Sequence, residues 1–194
     1  MPKSLFIIAL ALLCCACSSS KKTSKSSTAS KSKYTSTTTK SSTTKSSGST
    51  TSNNLSKVSQ KLGIQVTTSD NQTLYNEAAS WIGVPYKYGG TSRSGIDCSG
   101  LVYLMYQSVY SKTISRQSAA ILENNCTRIS KSNLRAGDLV FFRTDGKKTT
   151  TPNHVGIYLK NNKFIHASSS KGVVVSDLTT DYYVRNWITA GRVK

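Results

Sequence analysis

The composition changes abruptly near residue 54, and that break limits where a folded core can form. Residues 18–54 contain 15 Ser, 10 Thr and 7 Lys, so 32 of 37 positions are small hydroxyls or lysines. Such a segment has almost no apolar surface to bury and cannot offset the entropy of being ordered. It reads as a disordered tether. As a random coil it spans roughly 35 Å, and fully stretched it reaches on the order of 120 Å. A packed core therefore belongs to residues 55–194, with order beginning between 55 and 72 and the core over 72–194.

Ahead of the tether, Lys3 is followed by a run of nine apolar residues, Leu5 to Leu13. That run is too short for a membrane helix, which needs about 20 residues. It fits the apolar region of a secretory signal. Cys14-Cys15-Ala16-Cys17 and three serines come next. This resembles a bacterial lipoprotein signal, which implies that residues 1–16 are removed and that Cys17 carries the lipid, palmitate included. Cys14 stands where leucine is usual, so Cys15 is the alternative acceptor. An ordinary cleaved signal with incidental cysteines is the plainer alternative. A lipid anchor and a tether together would hold a domain at a membrane while it works on something beyond it.

The chain carries a formal charge of +18. Residues 55–194 hold 18 basic and 8 acidic residues, so the domain is basic apart from the tether. That balance suits an anionic partner such as a polyanionic wall or a membrane surface. No aromatic-interleaved basic repeat or nucleic-acid motif is present, which argues against nucleic acid. Within the domain only Cys98 and Cys126 remain, with no CxxC metal pattern and no disulfide framework.

Leu55, Val58, Leu62 and Ile64 have weak helical spacing. Leu74, Ala78, Trp81 and Ile82 share a face of a helix over 72–82, ended by Gly83 and Pro85. A second helix runs from 98 to 110, with Leu101, Leu104, Met105 and Val109 as its buried face. A short helix is expected over 117–124. From Asp138 the pattern becomes strands over 139–142, 154–159, 163–167, 173–175 and 188–193, with turns at 135–138 and 160–163. Helices followed by an antiparallel sheet make an α+β domain.

Between the two main helices lies a glycine-rich loop ending in Cys98. The cysteine opens a helix, where the dipole and free N–H groups stabilise an anion. The same N–H groups can stabilise an oxyanion. Gly89, Gly90, Gly95 and Gly100 are read as letting backbone approach a substrate, and Tyr86 could donate its hydroxyl to the oxyanion. The chain's two histidines, His154 and His166, fall on the two strands of one hairpin. Alternation places His154 opposite the aliphatic face of Val155, Ile157 and Leu159. A turn centred on Asn161-Asn162 brings the imidazoles near each other but not directly opposite. A thiol, a base and a group that orients the base are the parts of a nucleophilic cysteine site. The bland readings are a buried structural cysteine and structural strand histidines. A Cys–His–His metal site uses zinc-ligand residue types, but the wide spacing and lack of a fourth candidate count against it. Cys126 reads as structural.

Several segments together resemble the NlpC/P60 family of bacterial cell-wall peptidases, and in particular its lipoprotein branch of murein endopeptidases. They are Gly83-Val84-Pro85-Tyr86-Lys87-Tyr88-Gly89-Gly90, Gly95-Ile96-Asp97-Cys98-Ser99-Gly100, Leu134-Arg135-Ala136-Gly137-Asp138-Leu139, Asn153-His154-Val155-Gly156-Ile157-Tyr158 and Phe164-Ile165-His166-Ala167. The resemblance implies a papain-like fold with N-terminal helices packed on an antiparallel sheet. It implies Cys98 as nucleophile, His154 as base, His166 as orienting residue and Tyr86 at the oxyanion site. Asp97, Ser99, Arg116 and Ser118 match positions that line the substrate groove. It implies no cofactor and no metal, peptidoglycan as partner, and a monomer. The location it implies is the cell envelope, on the outer membrane facing the periplasm. Many relatives carry an SH3-like targeting domain; none is read here, so the anchor and tether would supply localisation.

The first expectation is a cysteine endopeptidase acting on stem peptides or cross-links. A wall-binding module on the same fold, with the site serving recognition, is the alternative, and thiol labelling separates the two. Acyl transfer within the same superfamily is a third reading.

Overall fold

The computed structural model describes residues 47–194. The signal over 1–16, the candidate lipidated Cys17 or Cys15, and the tether up to residue 46 lie outside the described residues. Helix α1 spans Ser47–Leu62. It therefore starts inside the segment assigned to the tether. Serine, threonine and asparagine are poor helix formers, so nothing local announces the start. The helix packs on α2, and Val58 and Leu62 are buried.

Helix α2 covers Gln72–Trp81, and its Asn71 cap accepts the Leu74 N–H. It stops one residue before the expected end, and Gly83 follows at φ +87°. Helix α3 covers Cys98–Tyr110. It packs on α2 and on the central sheet. Its buried side includes Leu101 and Met105 as expected, but Val102 and Tyr106 share it, while Leu104 and Val109 are only partly buried. Helix α4 begins at Ser118–Ala120 and continues as a π-helical turn over Ile121–Asn125.

The strands are β1 Thr91–Ser92, β2 Gly95–Ile96, β3 Cys126–Ile129, β4 Leu139–Phe142, β5 His154–Tyr158, β6 Lys163–Ser168, β7 Gly172–Asp177 and β8 Trp187–Val193. A short helix α5, Asp181–Arg185, precedes β8. Strands β1 and β2 form a small hairpin within the glycine loop. The other six make one antiparallel sheet in the order β3-β8-β4-β5-β6-β7. Strand β3 and helix α5 are not expected from the sequence, because each is short and neither carries an apolar run or a clear alternation. Leu139 and Phe141 face the helices; Val140 and Phe142 face the other side, with Phe164, Leu178, Tyr183 and Trp187. Each such buried side chain contributes about 1.5–3 kcal/mol.

The β5–β6 hairpin turns through Asn161 and Asn162, both at positive φ. Lys163 N–H bonds the Lys160 carbonyl, and Leu159 N–H bonds the Lys163 carbonyl. This pairs Tyr158 with Phe164 and Ile157 with Ile165, one residue off the ladder of a plain two-residue turn. The slip decides the site. A one-residue change of register moves side chains to the opposite face. Continued by one residue, that register sets Gly156 against His166, whose Cβ lies 3.1 Å from where a Gly156 Cβ would stand, so His154 and His166 are diagonal neighbours on the same face.

Candidate active site

Cys98 is the first residue of α3. Asp97 caps the helix, its carboxylate accepting the Gly100 N–H at 2.5 Å and the Ser99 hydroxyl at 3.0 Å. Helix α3 packs on β5, and the Val155 N–H favours the ionised form of the Cys98 sulfur, so the strand that carries His154 lies against the helix that carries the thiol. Burial raises the Cys98 pKa; the N–H groups of Val155, Ser99 and Cys98 oppose this without overcoming it, and Asp97 adds to the rise. Burial thus works against the anion that the N–H groups of the helix terminus favour. Desolvation is the largest influence on the thiol, and it favours the protonated form.

His154 Nε2 lies 2.9 Å from His166 Nδ1, with the rings perpendicular and their centroids 4.9 Å apart. That contact leaves Nδ1 as the only uncommitted ring nitrogen of His154. Burial lowers the pKa of His154 to about 4. His166 is also held well below the ordinary histidine value, mainly by burial and then by His154 and Lys171. Both rings are neutral at neutral pH.

The glycine loop is held from several directions. Ile96 N–H bonds the Pro85 carbonyl and Lys87 N–H bonds the Ile96 carbonyl. Arg93 lies 3.5 Å over the Trp81 ring and donates to the Ser80 carbonyl. A Cβ at Gly100 would meet the Gly90 carbonyl oxygen at 2.5 Å, and one at Gly95 would meet Lys87 Cβ at 2.6 Å. These glycines let the loop pack on itself, which corrects the reading that they admit substrate. Gly89, at φ +71° with open space above it, is the one of them that lines the cleft. Tyr86 bridges to Ile96. Burial, then Cys98 and Asp97, hold its phenol pKa above the ordinary value, so the hydroxyl remains a donor.

One cleft of about 1300 Å³ is lined by Tyr86, Asp97, Cys98, Ser99, Arg116, Ser118, His154 and His166. All eight residues singled out from the sequence therefore meet. Arg116 spans Asp97 and Ser99, with contacts of 3.3–3.5 Å. The Ser118 hydroxyl donates to the Pro152 carbonyl at 3.2 Å, tying α4 to the segment that enters β5. Sequence reasoning missed Ser176 and Tyr183, whose hydroxyl oxygens both lie 3.0 Å from His166 Nε2. Alternation along a longer β7 would have pointed to Ser176, whereas nothing local marks Tyr183. Cys126 is buried and free, its pKa raised to about 12 by burial. Among the described residues, no group of three or more His, Cys, Asp or Glu side chains is arranged to hold a metal ion.

The described domain has known counterparts. The Escherichia coli K12 protein "Murein DD-endopeptidase MepS/Murein LD-carboxypeptidase" is 39% identical over 120 residues, covering 62% of this chain and 61% of that protein. The match thus spans about three fifths of the length of that relative. "Probable endopeptidase NlpC" of the same organism is 42% identical over 120 residues, covering 62% and 76%. Among solved structures, an NlpC/P60 family protein from Bacillus cereus ATCC 10987 aligns with a TM-score of 0.57 and 32% identity, covering 66% of this chain and 41% of that one. A family model described as the NlpC/P60 family matches residues 83–192, more than half of the chain. By sequence and by fold, the chain belongs to the NlpC/P60 family.

Proposed function

We propose that this protein is a cysteine endopeptidase that hydrolyses amide bonds in peptidoglycan stem peptides or cross-links. The reading rests on one observation above all. A neutral imidazole pair in 2.9 Å contact shares a cleft with a thiol at a helix start. The names of the family relatives support the substrate class.

In this mechanism the Cys98 sulfur attacks the scissile carbonyl while His154 Nδ1 removes its proton. Because thiol and imidazole are both neutral at rest, charge separation develops only as the bond forms. The Cys98 N–H and the Tyr86 hydroxyl stabilise the oxyanion. His154 then returns the proton to the leaving amine. Water, activated by the same ring, hydrolyses the thioester. His166 fixes the orientation of His154 throughout. Arg116, Asp97 and Ser99 form a polar wall for the stem peptide, and Ser118 steadies the groove through Pro152. The domain's basic charge favours encounter with an anionic wall.

Residues 1–16 act as a lipoprotein signal, and Cys17, with Cys15 as the alternative, carries the lipid. The protein is a monomer held at the outer membrane facing the periplasm, and the segment after the anchor lets the domain reach the wall. Mass spectrometry of products from intact sacculi tests activity and bond together. New peptide termini are expected with wild type and none with Cys98→Ala. Equal digestion by both proteins would refute the assignment, and transferred amide products would indicate acyl transfer instead.

A further inference from the structure

Base catalysis at Cys98 requires His154 Nδ1 to hold a lone pair at rest. The contact between the histidines does not ensure this by itself. One proton lies between His154 Nε2 and His166 Nδ1, 2.9 Å apart. If His154 holds it, His154 Nδ1 is basic. If His166 holds it, the His154 proton sits on Nδ1, and the ring has nothing to offer the thiol. The outcome is decided at the far nitrogen of His166.

We propose that Ser176 and Tyr183 are positioning residues that hold His166 as the Nε2–H tautomer, and through it keep the base nitrogen of His154 free. Their oxygens are each 3.0 Å from His166 Nε2 and 3.4 Å from one another. Two oxygens around one ring nitrogen suit a single N–H shared between two acceptors. A lone pair there would take one O–H only, and would leave the second oxygen's lone pairs facing it. With the N–H in place, the Tyr183 hydroxyl donates to Ser176 Oγ, both oxygens accept from the ring, and the Ser176 O–H is left to turn towards the cleft that Ser176 lines. When His154 takes the thiol proton, its Nε2–H still donates to His166 Nδ1. No proton beyond the one transferred has to move.

The fold fixes both oxygens. Ser176 in β7 pairs with Phe164, two residues from His166 on the same face of β6. Tyr183 comes from α5; its ring stands edge-on to Phe164 at 4.8 Å and tilted against Phe142 at 5.1 Å. His166 stacks on Phe164 at 4.9 Å. Helix α5 thus has a task, which is to deliver one hydroxyl to the back of the orienting histidine. Burial keeps that phenol above its ordinary pKa, so it stays neutral across the working range.

This deepens the peptidase reading, and its kinetic arm rests on that reading while its spectroscopic arm does not. The chain contains only two histidines, so nitrogen-15 histidine labelling of the full chain yields just two imidazoles. At pH 7.5 both should appear as Nε2–H tautomers. In the double variant Ser176→Ala/Tyr183→Phe, both should shift towards Nδ1–H. The kcat on muropeptides should fall at least about tenfold with KM little changed. Each single variant keeps one acceptor and should lose less, with the His166 Nε2 resonance displaced. Ser176→Thr keeps a hydroxyl and should restore tautomer and rate. A double variant in which both rings remain Nε2–H overturns the proposal. If that variant does not fold, unshifted His166 resonances in both single variants overturn it equally. A wild type inactive on sacculi would sink the peptidase reading alone, and the nitrogen spectrum would still decide the role of Ser176 and Tyr183.

Discussion

Gly156 lies in β5 opposite His166, and the space above its Cα is already filled. A Cβ there would stand 2.7 Å from Phe164 Cδ2, 2.8 Å from the Ile165 carbonyl oxygen and 3.1 Å from His166 Cβ. The carbonyl belongs to the β6 backbone and cannot retreat alone. The Phe164 ring is fully buried and wedged between Phe142, Tyr183 and His166. Relief must come from moving β6 away from β5. Overpacking of this kind costs about 1–3 kcal/mol, which for a domain of roughly 150 residues lowers Tm by about 2–12 °C. The same movement stretches the 2.9 Å contact between the imidazoles. Misplacing a catalytic group by about 1 Å costs on the order of 100-fold in rate. Gly156→Ala should therefore fold with a lowered Tm, and its kcat should fall about 10- to 100-fold with little change in KM. Circular dichroism melting and muropeptide turnover measure both. A variant with wild-type Tm and wild-type kcat would refute the argument that Gly156 is the space in which the histidines meet.

The folded-state pKa of His154, about 4, lies below the ordinary histidine value of 6.5. The unfolded chain therefore binds more protons between those values. Stability is full above pH 6.5 and is lost as the pH falls towards 4, by about 2–3 kcal/mol from this group. His166 acts in the same direction. Urea unfolding at pH 7.5 and 4.5 should show a smaller loss for His154→Gln than for wild type; equal losses would contradict the assignment. Tyr86→Phe should lower kcat by about 10- to 100-fold and leave KM nearly unchanged; an unaffected kcat would remove Tyr86 from the oxyanion site. The Asp138 carboxylate is buried and takes two bonds from Arg192, at 2.8 and 2.7 Å, and one from the Arg135 N–H at 2.7 Å. Asp138→Ala should cost about 2–4 kcal/mol in urea unfolding by leaving those donors without an acceptor; a loss below about 0.5 kcal/mol, the usual scale of a surface substitution, would show that the ion pair is dispensable.

Much of the site was legible before any coordinates. The period of Leu74, Ala78 and Trp81 marks α2, and alternation around Val155 and Ile157 marks β5. The helix start at Cys98 and the hairpin holding His154 and His166 are local features. So are the turn residues Asn161 and Asn162. Strand β3 and helix α5 escaped because Cys126–Ile129 and Asp181–Arg185 are short and carry no apolar run or alternation that stands out from a loop. The position of β8 between β3 and β4 depends on pairing across long stretches of chain. The glycine-rich loop is visible in the sequence, but what its glycines make room for is not. Gly90, Gly95 and Gly100 make room for backbone and a lysine stem that lie near them only in the folded loop.

Sequence by itself determined which side chains with chemical capacity exist and which short segments carry them. Periodicity, capping and turn preference act over a few residues, so they can be read in order along the chain. The tertiary structure decided whether those side chains meet and in what protonation state. A one-residue slip in the β5–β6 ladder puts both imidazoles on one face. Burial favours the protonated Cys98 sulfur, against the N–H groups around it. Two hydroxyls from β7 and α5 close the far side of His166. Register and desolvation arise from contacts between distant segments, and no local pattern encodes them.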